Sequence, residues 1–255
     1  MNWQPLLNEL GQWQQIGRIV TFWWRDDDAI SDTPALRTLL TITDPFPIAI
    51  AVIPAKCDVT LSGLLASYSR VAIFQHGWRH LKIDGQLIEF PATRNSKTVL
   101  AELQAGHTIL TELFGAQFLP VMVPPYHGWS NDFTSLLEVT GLIGFSVKGA
   151  TPSPRRTLKV VNVHIEPIVW SVPPTLGDPD VHIAAIVAEL QQRRSTGSTE
   201  PIGVLTHHLS HDAATMTFCE ELAGILKVNP AVVVVHPATL FMNGNDNISF
   251  VGWGD

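Results

Sequence analysis

The chain alternates short apolar runs with amphipathic stretches from one end to the other. Runs rich in β-branched residues stand at Arg18–Trp24, Ile48–Ile53, Val71–Gln75, Leu119–Val123, Gly144–Val147, Val160–Ile165, Ile202–Thr206 and Ala231–Val235. Ile48-Ala-Ile-Ala-Val-Ile53 and Ala231-Val-Val-Val-Val235 are apolar at every position, which suits parallel strands covered on both faces. Helical spacing fills the gaps. Thr33-Pro34 reads as an N-cap followed by proline at the first helical position, with Leu36, Leu39 and Leu40 facing inward. From about Ser96 to Phe114, Val99, Leu103, Leu110 and Phe114 share a face, and Gly115 is the stop. Asn131 caps a short helix ending at Gly141. Ile183, Ile186, Val187 and Leu190 mark another helix, and Asp212 caps the last long one, where Phe218, Leu222, Ile225 and Leu226 are apolar. Seven or eight strands alternating with helices predict an α/β fold, a single-domain (β/α) barrel over residues 1–255. Segments 77–95, 148–159 and 171–180 read as loops over the strand ends, and 195–201 as an exposed connector.

Composition narrows the function classes. The 255 residues are 45% apolar and 15% charged, so the chain can bury a sizeable core. The net charge is −7 and no basic run exceeds Arg193-Arg194, which argues against nucleic acid and anionic membrane surfaces as partners. Cys57 and Cys219 lie in apolar surroundings and read as reduced thiols, with a disulfide between them left open. The N-terminal stretch has no basic start followed by an apolar core, and no segment approaches a membrane span, so a cytoplasmic protein is the default expectation. The oligomeric state stays open.

The polar residues change the picture more. Asp26, Asp27 and Asp28 follow the first strand. His76 ends the third, with His80 four residues on. Pro124-Pro125-Tyr126-His127 follows the fourth. His164 and Glu166 end the sixth, His207-His208 close the seventh, and His236 closes the eighth. All are predicted at the carboxyl ends of strands, where barrels of this kind hold their active sites. An isolated Asp triplet is more often a solvated loop with one capping residue. Two histidines four apart after a buried strand, with Gly77 permitting a tight turn, raise the case for a metal. One carboxylate added to two imidazoles leaves metal positions open for water, the arrangement catalytic zinc uses. The same set also describes non-haem iron oxygenases, which ligand identity alone does not separate. His107 sits on the apolar side of its helix and reads as structural, and His208 and His211 either orient His207 or cap the next helix.

These residues resemble the polysaccharide deacetylase family, the NodB-like carbohydrate esterases, in a divergent branch with an Arg-Asp-Asp-Asp start. Five motifs run in the family's order from residue 22 to about 212. The paired aspartates resemble Asp27-Asp28 with Arg25 preceding. The family's His-x-x-x-His matches His76 and His80, its Arg-Pro-Pro-Tyr matches Val123-Pro124-Pro125-Tyr126, its acidic motif ending in Trp is matched weakly by Glu166 to Trp170, and its Leu-x-His matches Leu205-Thr206-His207. The departures are Val123 in place of the arginine that orients the base, with Arg25 as the substitute, and Val169 in place of the second acid of the fourth motif. Asp26-Asp27 is an alternative register for the base and ligand pair.

The resemblance implies a distorted seven- or eight-stranded NodB-like barrel and a metal-dependent hydrolase that removes an N-acyl, usually N-acetyl, group from an amino sugar or related small amide. Its partner is then a small-molecule or carbohydrate substrate, and its cofactor a divalent metal, zinc foremost. Asp28, His76 and His80 are implied as metal ligands, Asp27 as base, Tyr126 as an oxyanion donor through its backbone N–H, His207 as acid, and Arg25 as the group that orients the base. Trp170, Trp78 and Trp129 offer floors for an acyl or sugar pocket, each against ordinary packing. Two rivals stand beside this reading: a non-catalytic relative that binds a saccharide in the same cleft, favoured by Val123 and Val169, and the iron oxygenase.

Overall fold

A computed structural model describes residues 1–149 and 158–242, so most of the predicted loop 148–159 lies outside them. The strands are β1 (Val20–Ala29), β2 (Ile48–Val52), β3 (Val71–His76), β4 (Phe118–Val123), β5 (Gly144–Phe145), β6 (Lys159–Val160), β7 (Ile202–Thr206) and β8 (Val232–Val234). Every ladder is parallel. The order is β6-β5-β4-β3-β2-β1-β7, with β8 pairing the first residues of β1. The helices are α1 (Gln4–Gln15), α2 (Pro34–Ile42), α3 (Val59–Leu65), α4 (Ser96–Phe114), α5 (Thr134–Val139), α6 (Pro179–Thr196), α7 (Ala213–Val228) and α8 (Pro237–Phe241). This is an α/β fold with a parallel half-barrel sheet.

The expected sixth strand, Val160–Ile165, is only partly a ladder: β6 stops at Val160. The residues beyond it still bond to both sides. Val163 N–H donates to Val147 O at 3.0 Å, Ile165 N–H to Gly203 O at 3.0 Å, and Leu205 N–H to Ile165 O at 2.7 Å. A sparse set of bonds therefore draws β7 toward the far edge of the sheet. Gly203 makes this closure possible, because a Cβ there would lie 2.6 Å from Val163 Cα and 2.8 Å from Asn162 O. Gly203→Ala is expected to cost roughly 1–3 kcal/mol, the usual range for overpacking. Chemical denaturation measures it; an unchanged midpoint would mean that residues 161–165 do not press on β7.

Strand alternation sorts β1 into two columns. Val20, Phe22 and Trp24 pack with the helices in one core cluster. Trp23 belongs to a second cluster inside the barrel, with Phe74, Val121, Val123, Val163 and Leu205. Ala49, Ala51 and Ala72 line the same interior, and their small side chains leave room for Trp23 and Phe74. Phe241 of α8 joins them, edge-on to Trp23 at 6.1 Å and to Phe74 at 5.3 Å between ring centroids.

Cap chemistry was read correctly for α2 and α7. Thr33 accepts from Leu36 N–H at 3.1 Å and Asp212 from Thr215 N–H at 2.7 Å. Asn131 is not the cap expected of it. Ser130 caps a short 3-10 turn over 131–133, and α5 follows. Both cysteines are free thiols. No helix among the described residues is long and apolar enough to cross a membrane.

Candidate metal and catalytic site

The Asp triplet is not a loop after the first strand, as the predicted end at Trp24 implied. It is the last part of β1, which runs to Ala29. Each acid goes somewhere different. Asp26 is fully buried on the outer side and holds the chain after β7. It accepts the His208 backbone N–H at 3.0 Å and meets His208 Nδ1 at 2.5 Å. Asp27 points the other way, in the interior column above Arg25. Regular alternation would send Asp28 outward again. The pairing instead slips between Asp26 and Ala29, so two residues of β1 face one of β2. Asp28 takes a left-handed φ of 74°. The slip brings it to the histidines.

Asp28, His76 and His80 each offer one ligand atom within 4.8 Å of the others. Asp28 Oδ1 lies 3.1 Å from Nε2 of each histidine. His76 Nδ1 is 2.9 Å from Val123 O. A carbonyl only accepts, so Nδ1 carries a proton, the usual outer support of a metal-binding imidazole; Nε2 donates to Asp28 while protonated and offers its lone pair to a cation once that proton is lost. Burial opposes a charge on His76, but the bond to Asp28 and the charges of Asp27 and Asp28 outweigh it and raise its pKa. His80, pushed the opposite way by burial and by His76, falls to about 4. Burial would likewise raise the Asp28 carboxyl, yet its bond to His76 and both imidazoles hold it well below the usual range. Without a cation, three electron-rich groups share what protons they can hold. A divalent ion satisfies all three, so the donor set fits one. Left-handed φ values also mark His80 (55°), Tyr126 (57°) and His127 (58°). Such outliers gather where surrounding structure imposes them, commonly at functional sites.

Arg25 and Asp27 are two apart on one strand and share a face. Arg25 Nε lies 2.8 Å from Asp27 Oδ1, and its NH2 donates to Oδ2 at 3.1 Å. NH1 donates to Ser146 Oγ at 2.7 Å. Both charges are buried, Arg25 at 0% and Asp27 at 1% exposure. Burial pushes the Asp27 pKa up; Arg25, followed by His76, His207 and His127, outweighs that and keeps it low. Arg25 thus holds Asp27 from within β1 itself.

His207 stands one residue past β7, two on from the interior Leu205. Its Nδ1 lies 3.6 Å from Glu166 Oε1. Its backbone N–H donates to His211 Nε2 at 3.1 Å. Glu166 also accepts from Lys148 Nζ at 2.5 Å and from Trp170 Nε1 at 3.0 Å. Trp170, 55% exposed, stands edge-on to His207 at 4.9 Å. Tyr126 rests against His80 at 4.5 Å. His127 was given no role in the sequence reading, yet it interacts electrostatically with Arg25, Asp27, Glu166 and His207, and burial lowers its pKa to about 4. Its only signal was its place directly after Tyr126.

Other expected members lie elsewhere. His164 turns to α6, where its Nε2 is 3.1 Å from Arg193 NH2. His236 caps α8 by accepting from Ala238 N–H at 3.1 Å. It falls short of the site because β8 pairs only with Val20, Thr21 and Phe22. His107 packs edge-on against Phe118, as a structural residue would. Trp129 packs among Phe90, Phe133 and Phe145, and Trp78 joins the same cluster. Of the three tryptophans, Trp170 is the one beside His207.

No family model matches the chain, and no curated protein matches it. Solved structures do. A protein from Mycobacterium smegmatis classed as a polysaccharide deacetylase superposes with a TM-score of 0.64 at 16% identity, over 88% of this chain and 89% of that one. A family 4 acetyl xylan esterase from Clostridium thermocellum, in complex with a cobalt ion, gives 0.58 at 13% identity over 87% and 90%. A mutant of a family 4 carbohydrate esterase pseudoenzyme with restored enzymatic activity gives 0.57 at 14% over 88% and 68%. At these identities the likeness establishes the fold, that of the NodB-like deacetylases.

Proposed function

We propose that the protein is a divalent-metal-dependent hydrolase that removes an N-acyl group, N-acetyl foremost, from an amino sugar or related small amide. The observation that carries this reading is the juxtaposition of Asp28, His76 and His80 with an Arg25-held Asp27. The fold shared with carbohydrate deacetylases supports it. Asp28, His76 and His80 would hold the ion, with zinc the best match to two imidazoles and one carboxylate. The ion supplies Lewis-acid polarisation of the acyl oxygen and acidifies water.

The chain's own groups do the rest. Asp27, kept ionised by Arg25, takes a proton from the attacking water. The backbone N–H of Tyr126 donates to the developing oxyanion. His207, with Glu166 behind its Nδ1, protonates the departing amine. Arg25 does for Asp27 what an arginine at position 123 would do. That weakens the case for the non-catalytic reading.

The test is acetate release from N-acetylated glucosamine and its oligomers. Chelation should abolish it and Zn2+ or Co2+ should restore it. His76→Ala should lose most of the metal, and Asp27→Asn should keep the metal while losing turnover. Stoichiometric metal in His76→Ala would refute the ligand set. Saccharide binding without acetate release, in metal-loaded protein, would favour the non-catalytic reading.

A further inference from the structure

His76 and His80 are separated by Gly77, Trp78 and Arg79, and this turn decides where the second imidazole points. Its backbone is gripped by a residue from the loop that follows. Glu89 Oε2 accepts the Trp78 N–H at 3.0 Å, and Glu89 Oε1 accepts the Arg79 N–H at 2.7 Å. The carbonyl side of the turn is held too, because Trp78 O accepts from Ala55 N–H at 3.1 Å.

Glu89 is 2% exposed, and among the described residues no Lys or Arg forms an ion pair with its carboxylate. A buried anion without a cation is costly unless hydrogen bonds replace its water. Here both oxygens are spent on two backbone amides of the turn, those of Trp78 and Arg79. The turn is built around this group. A Cβ at Gly77 would lie 2.2 Å from Glu89 Oε2 and 2.6 Å from Pro125 Cδ. Gly77 is therefore needed for its φ of 57° and because Glu89 occupies the space of a side chain. Glu89 is anchored in turn. Its carbonyl accepts from Arg94 NH1 at 3.1 Å, and Arg94 NH2 donates to Glu102 of α4 at 2.7 Å.

We propose that Glu89 is a positioning residue for the metal: its buried carboxylate fixes the turn that aims His80 Nε2 at Asp28, and so sets the affinity of the site for a divalent cation. A support of this kind belongs to the outer shell of a metal site, where removal typically weakens binding by roughly 10–100-fold. The inference rests on the metal-site reading above.

The experiment uses the full chain as wild type, Glu89→Ala and Glu89→Gln. Each is stripped of metal and titrated with Zn2+ against a chromogenic chelator, and with Co2+ while the visible spectrum is recorded. Glu89→Ala should bind roughly 10–100-fold more weakly with an altered Co2+ spectrum. Glu89→Gln, which keeps the size and one acceptor but turns an NH2 toward the second amide, should fall between. If Glu89→Ala does not fold, Glu89→Gln carries the test. A role in folding alone would lower the unfolding midpoint of the metal-free protein and leave Kd and spectrum unchanged, and that result would overturn the proposal. A wild type that takes up no metal would sink the metal-site reading as well; a wild type that binds, with variants that bind equally, would sink this inference alone.

Discussion

His207→Ala is expected to slow cleavage of an N-acetylated amine by roughly 10²–10⁴-fold, the usual worth of a positioned acid. Cleavage of an activated aryl acetate should be slowed far less. The reason lies in the leaving groups: an amine leaves poorly unless protonated, whereas a nitrophenolate leaves without help. His207 is placed for the task by three constraints. It stands one residue past the end of β7, its backbone is tied to His211, and its Nδ1 faces Glu166 at 3.6 Å. The check compares both substrates on wild type and variant, with metal content measured alongside. Equal losses would make His207 an orienting or structural group. The acid role would not pass to His127, whose pKa burial holds at about 4, so that it carries no proton to give near neutral pH. Neither His208, spent on Asp26, nor His236, spent on the cap of α8, is placed to take it.

What the sequence exposes here is whatever repeats along the chain or sits within a few residues. The continuous apolar run Ile48–Ile53 located β2, buried at every position, whereas the equally apolar Ala231–Val235 forms only the short β8 and is not covered on both faces, since Val233 is 41% exposed. The i, i+4 spacing of His76 and His80 already implied a shared turn, whereas the i, i+2 spacing of Arg25 and Asp27 means a shared face only because β1 runs through both. What escaped has a different origin. The end of β1 was set too early because three acids read as solvent-facing, whereas Arg25, His208 and the paired histidines each neutralise one of them. The slip that turns Asp28 inward depends on pairing with β2 and has no mark in the β1 residues. Val160–Ile165 looked like a full strand because its pattern is apolar, but its neighbours β5 and β7 offer only scattered partners. α1 was missed although Leu6, Leu10 and Trp13, all buried, recur at helical spacing. Ser146 reaches Arg25 from 121 residues away and Glu89 grips its turn from within the following loop, and no periodicity reports such contacts. The reach of β8 decided that His236 stays below the site.

Arg25→Ala should change stability and the pH dependence of turnover together. Arg25 and Asp27 are both buried in the barrel interior, so removing one partner leaves an uncompensated charge. Such losses cost about 3–5 kcal/mol. In the wild type the Asp27 pKa is held below its unfolded value of about 3.9. The pair's contribution is therefore fully present above about pH 4 and is lost as the pH falls through the folded value. In Arg25→Ala the balance tilts toward burial, which raises the Asp27 pKa. A raised carboxyl favours the folded state only while protonated. The stability gap between wild type and variant should thus be widest near neutral pH and close toward acid, as measured by denaturant unfolding in the presence of chelator. The acidic limb of the kcat/KM profile should move to higher pH, because the base then ionises later. Metal content should stay intact, since Asp28, His76 and His80 are untouched. Arg25→Lys separates charge from shape: an ammonium restores the Coulomb attraction but lacks the planar fork that also reaches Ser146. It should recover part of the stability and only some of the rate. An Arg25→Ala protein with wild-type stability at neutral pH and an unmoved acidic limb would show that Asp27 does not depend on this guanidinium.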